Sequence, residues 1–171
     1  MPEWLKSKPQ WLSRSPSPAS VSQSSVLETT RNVCTLVSNL GSGALNVPGL
    51  QAAGLIGCQI IDIIQQMKDN QDACKDLVDH IGKLMSPIYS TLQSCTITDI
   101  DVGLRDDIQR LQESMQAVQN ILQHQADRRG LVRALNSVRD AGKIAECKEI
   151  INRQLVAFGV HALGFRRFYS R

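Results

Sequence analysis

Aromatic residues are scarce in this chain of 171 residues: tryptophan, tyrosine and phenylalanine make up 4% of it, although 42% of the residues are apolar. A core with so few rings must be built from Leu, Ile, Val, Ala and Met, a palette that suits packed helices. No stretch alternates apolar and polar residues in the manner of a half-buried strand. No CxxC motif and no paired-histidine spacing is present, so a zinc site has no support. Long apolar runs are missing too. The best candidate, residues 50–64, has 15 residues and contains Gln51, Gln59 and Asp62, whereas a membrane span needs about 20 mainly apolar residues. It reads as a buried bundle helix. The first residues, MPEWLKSKPQWLSRSPSPAS, lack the apolar run of a signal peptide, so secretion is not expected.

The length fits one domain of ordinary size with short tails. The net charge of +3 is too small to imply nucleic acid, and its distribution says more than its total. Residues 1–20 carry +2 and residues 153–171 carry +4, which leaves −3 for the body between them. Basic ends on an acidic body favour anionic surfaces meeting the tails and not the bundle. Five cysteines, Cys34, Cys58, Cys74, Cys95 and Cys147, are odd in number, scattered and mostly in phase with apolar positions. They read as reduced core residues of a cytoplasmic protein.

Four of the six prolines, many serines, and Trp4 and Trp11 fall in the first 20 residues. This composition buries too little surface to offset its ordering entropy, so residues 1–24 read as a disordered tail. Ser25 and Glu28 form an S-x-x-E capping box. The helix behind it, about 26–40, carries Val26, Thr30, Val33, Val37 and Leu40 on one face, and Gly41-Ser42-Gly43 ends it. Asn46 and Pro48 then stand as cap and first-turn proline of a second helix running through Met67, with Ile56, Ile60, Ile63 and Met67 on one face. The same helix carries Ala52, Ala53, Gly54 and Gly57, small residues that permit close helix approach.

A third helix places Cys74, Leu77, Ile81, Leu84, Ile88 and Leu92 in register and should bend or break near Pro87. After an acidic connector at 98–101 comes the clearest amphipathic pattern: Leu104, Ile108, Leu111, Met115, Val118 and Leu122. This heptad seam, about five turns long, is the expected helix-packing interface. A polar stretch, 123–130, leads to a short amphipathic piece at 131–138. The last long helix, about 142–160, presents Ile144, Cys147, Ile151, Leu155 and Phe158.

The fold class is therefore all-α: a four-helix up-down bundle with an additional N-terminal helix and a short connector helix, spanning 25–160, and followed by a basic-aromatic tail at 161–171. No constellation for catalysis is visible. Gly41-Ser42-Gly43 lacks the Lys-Ser/Thr of a P-loop, and Gly54 and Gly57 lie within a helix. His80, His124 and His161 share no spacing and read as surface or boundary residues. Asp106 and Asp107 begin a helix, where acidic side chains favour the macrodipole. Catalytic, metal and cofactor sites are thus expected to be absent. Two basic clusters remain as lipid or partner contacts: Arg128, Arg129 and Arg133, and the terminal Arg166, Arg167 and Arg171 with their aromatic neighbours.

NVPGLQAAGLIGCQIIDIIQQMKDNQDACKDLVDHIGKLMSPI, LRDDIQRLQESMQAVQNILQHQ and AECKEIINRQLVAFGV together resemble the N-terminal helical domain of the mixed-lineage kinase domain-like protein family. The fungal versions are the most similar in kind. The VPGL turn, the K-x-N-x-x-x-C-K-x-L phrase and the final helix carry the resemblance, which covers residues 25–160. It implies a four-helix bundle, grouped structurally with the N-terminal domain of Cbl-type adaptors, formed by residues 50–67, 70–97, 104–124 and 142–160. Residues 26–40 would be the added helix of the fungal versions and 131–139 a connector. The resemblance further implies signalling by release or docking of the bundle, with oligomerisation and membrane permeabilisation in programmed cell death for some members. The net acidic body makes the family's basic lipid-binding patch thin here. The leading expectation is a non-catalytic signalling or adaptor module that meets protein partners, including further copies of itself, through helical surfaces. The alternative is a membrane-permeabilising cell-death effector that binds anionic lipids, recruited from the cytoplasm to the inner face of the plasma membrane.

Overall fold

The computed structural model describes residues 18–67, 70–128 and 137–169, with side chains described over 25–67, 70–127 and 141–159. Among the described residues the fold is all-helical: α1 (Pro18–Ser42), α2 (Pro48–Gln66), α3 (Gln71–Leu92), a single 3-10 turn (Ile97–Asp99), α4 (Val102–Arg128) and α5 (Ser137–Tyr169).

Several boundaries differ from the expected ones. Helix α1 begins at Pro18, inside the stretch expected to be a tail, so Ser25 and Glu28 lie within the helix and do not start it. A proline at the first helical position costs nothing, because its missing N–H has no intrahelical partner there. Residue Val47, not Asn46, is the N-cap of α2, with Pro48 opening the helix. Asn46 instead takes a left-handed conformation, φ 48°, which turns the chain between α1 and α2. Helix α3 runs unbroken through Pro87 and stops at Leu92, short of the expected 97. The connector after it is closed between Thr96 and Asp99: the Thr96 amide and hydroxyl both donate to Asp99 Oδ2, at 2.7 and 2.8 Å, and the Asp99 amide donates to the Thr96 carbonyl oxygen at 3.0 Å. Helix α4 continues past 124 to Arg128, and α5 takes in the end of the expected connector and most of the expected C-terminal tail. Residues 1–17, including Trp4 and Trp11, and 131–136 of the connector lie outside the described residues.

The helices form a closed circuit in which α1 packs on α2 and α3, α2 on α4, α4 on α5, and α5 on α3. Facing residues give the directions. Arg31 pairs with Asp62 while Gly54 meets Ser38, so α1 and α2 run antiparallel. Gly49 meets Ile108 and Gln59 accepts from Gln119, so α2 and α4 run parallel. Lys148 reaches Asp76 at 3.3 Å, and Leu155 and Phe158 lie near Leu84 and Ile88, so α5 runs parallel to α3.

The core inside this circuit is almost wholly aliphatic and includes Leu50, Ile60, Ile61, Leu77, Ile81, Met85, Leu111 and Met115. Helices α2 and α3 touch only slightly, because α1 lies between them, and α3 and α4 make no close backbone approach although they are consecutive in the chain.

Candidate functional site

All six seam residues of α4, Leu104, Ile108, Leu111, Met115, Val118 and Leu122, are buried within the fold. The seam therefore meets the chain's own α2 and α5 and presents nothing to a partner in this state. Among the expected basic contacts, Arg128 ends α4, and Arg166 and Arg167 fall on the backbone of α5; their side chains are not described. Arg129, Arg133 and Arg171 lie outside the described residues.

His80 contacts the Asp76 carbonyl oxygen one turn earlier, at 2.6 Å, and His124 is exposed. Asp107 is buried, and the Arg110 guanidinium, 2.9 Å from its Oδ1, lies one turn on. The five cysteines are free thiols. Burial pushes Cys34 and Cys147 up to about 12, and raises Cys95 as well. No group of three His, Cys, Asp or Glu suited to a metal ion occurs among the described residues, and no helix among them is long and apolar enough to cross a membrane.

Two features stand out from this background. The first is the seat of α1. Of its described residues only Cys34 and Val37 are buried apolar ones, beside buried Thr30 and Ser38, whereas α3 buries eight residues, seven of them large. The close approach of α1 rests on glycines of its neighbours. A Cβ on Gly54 would stand 2.6 Å from the Cys34 carbonyl oxygen and the Ser38 nitrogen, and one on Gly82 would stand 2.9 Å from the Thr30 hydroxyl. That hydroxyl sits 3.4 Å from the Val78 carbonyl oxygen, the polar contact that ties α1 to α3.

The second feature is a cleft of about 220 Å3 between the C-terminal half of α3, the start of α4 and α5. Leu84, Ile88, Leu92, Leu104, Leu155 and Phe158 wall it, and Asp101 stands among the residues around it. Leu104 and Phe158 are buried as their helix patterns predict, and Leu155 is half-buried against the core. That the packing stops short of filling the cleft depends on helix splay, which periodicity does not encode.

Searches of protein-family models, curated proteins and solved structures find no match to the chain. The functional reading consequently stands on the residues and their arrangement.

Proposed function

We propose that the chain is a non-catalytic signalling module whose working element is a docked helix, with α1 occupying a helix-binding face formed by α2 and α3. In this reading α2 to α5 alternate in direction as in an up-down bundle, and α1, the added helix, closes the side on which α2 and α3 hardly touch. The observation that carries it is the composition of the α1 seat. Over its described residues α1 fully buries two apolar side chains, with Val26, Leu27, Val33 and Leu40 half-buried beside them and Arg31 paired with Asp62, whereas α3 fully buries eight, and stabilisation follows buried apolar area. Elements at the low-stability end of a fold are those that open first. Release of α1 exposes α2 and α3 to a helix of a partner or of a second copy. The resemblance noted above supports placing this exchange in receptor-linked or cell-death signalling.

Cys34→Asp combined with Val37→Asp tests the reading, because both residues are buried on the α1 side of the contact and their substitution leaves the faces of α2 and α3 unchanged. We expect the amides of 25–42 to lose hydrogen-exchange protection while those of α4 stay protected. The variant should then associate into a defined oligomer that a synthetic peptide of residues 18–42 dissociates. A variant that frees α1 yet remains monomeric and ignores the peptide would refute the reading.

A further inference from the structure

We propose that the cleft between α3, the first turn of α4 and α5 binds the aliphatic chain of a monomeric, single-chain amphiphile whose head group is neutral or cationic. No described residue of α1 lines the site, which does not depend on the release of α1. Its volume, about 220 Å3, exceeds the cavity of about 150 Å3 that stays dry in an apolar setting and takes benzene. The walls are the aliphatic side chains of Leu84, Ile88, Leu92, Leu104 and Leu155 with one ring, Phe158. Water gains few partners among them, so displacing it by hydrocarbon is favourable.

The mouth is open because two of the bordering residues are glycines. Among the described residues a Cβ on Gly159 would touch nothing within 4 Å, and one on Gly103 would meet only Asp101 Oδ1, at 3.6 Å. Their neighbourhoods are apolar on the outside as well. Val102, beside Gly103, is 75% exposed, and Val156, beside Leu155, is 68% exposed.

The head group follows from Asp101. Its Oδ1 accepts the Leu104 amide hydrogen at 2.7 Å, which caps α4 and holds the carboxylate at the cleft. The side chain is exposed, so its other oxygen is open to a donor. A hydroxyl or ammonium group donates there, whereas a carboxylate or phosphate brings like charge against it. The Asp99 carboxylate lies two residues away in the same connector, and Arg105, whose Nε donates to the Ile100 carbonyl oxygen at 3.4 Å, is a nearby cation.

Titration of the full chain with hexyl, octyl, decyl and dodecyl alcohols and amines below their micellar concentrations, beside the matching carboxylates, tests the proposal by calorimetry and by Phe158 ring resonances. Each methylene that enters should tighten binding about fourfold, with a plateau once the cleft is full. Alcohol and amine should exceed the carboxylate by about tenfold at one rim contact. Gly159→Leu places a side chain at the mouth of a helix position with free space around it, and should weaken octyl binding at least tenfold with the fold intact. Gly142→Leu, also in open helical surroundings, should leave binding unchanged. Asp101→Asn should keep alkyl binding and abolish the preference against carboxylates. Affinity without chain-length dependence, or equal affinity in the Gly159→Leu protein, would overturn the site. A head-group preference that survives Asp101→Asn would overturn the role of Asp101.

Discussion

Gly57 of α2 faces Cys34 of α1 so closely that a Cβ on the glycine would stand 2.7 Å from the cysteine sulfur. The same two helices meet again at Gly54, whose added Cβ would strike backbone atoms of Cys34 and Ser38. Neighbouring backbone yields less readily than a side chain. Arg31 of α1 closes the far end of this contact on Asp62, and that hydrogen-bonded pairing raises the arginine above its ordinary value.

Alanine at these glycines should therefore have opposite effects from alanine on a free helix surface. Gly54→Ala is expected to cost about 2 kcal/mol from overpacking, and Gly57→Ala somewhat less, because the Cys34 side chain can rotate. Gly142→Ala, with open space around it, should gain up to about 1 kcal/mol from helix propensity. Urea unfolding of the three variants measures the order.

The buried seam of α4 makes a second expectation. Leu111→Ala should lower stability by about 2–5 kcal/mol, as truncation of a fully buried leucine does. Leu111→Asp with Val118→Asp should leave the chain unfolded at room temperature by circular dichroism. A folded double variant would mean that α4 is not part of the core.

Thiol ionisation sets a pH dependence at the alkaline end. Cys34 and Cys147, ordinarily at 9.0, are pushed to about 12 by burial. The folded state keeps both protons to a higher pH than the unfolded chain does. Their contribution is thus complete below 9 and declines as pH rises toward 12, by about 1 kcal/mol per thiol at pH 10. Unfolding at pH 8 and pH 10 should show this decline, and Cys34→Ala should make it shallower. Alkylation should reach half-buried Cys58 before buried Cys34, Cys74 and Cys147.

Asp99 governs the acid end of the connector. The Thr96 amide and hydroxyl hold its carboxyl below the usual carboxylate range. A depressed folded value means stabilisation that is present above the unfolded value and lost as pH falls through the folded one. An NMR titration should show the 96–100 turn loosening only in strong acid. Asp99→Asn should loosen it at neutral pH as well, since an amide accepts these donors less well than a carboxylate.

The sequence by itself determined the helical class, the α4 seam and the aliphatic core. These follow from scarce aromatics and from 3-4 spacing, which are local properties of the chain. It also marked Gly54 and Gly57 as places of close approach, though not what approaches. Helix ends were less legible. Pro18 and the left-handed Asn46 set boundaries through backbone geometry, and the Ser25–Glu28 pattern occurs inside a helix as readily as at its start. Tertiary structure alone decided that α1 sits between α2 and α3, that α4 packs beside α2 and α5 and not beside α3, and that a cleft remains between α3, α4 and α5. Periodicity states which face of a helix is buried, but not which helix covers it. That choice rests on side-chain shapes meeting across long stretches of chain, here on glycines that admit α1 and on leucines that stop short of filling the space around Phe158.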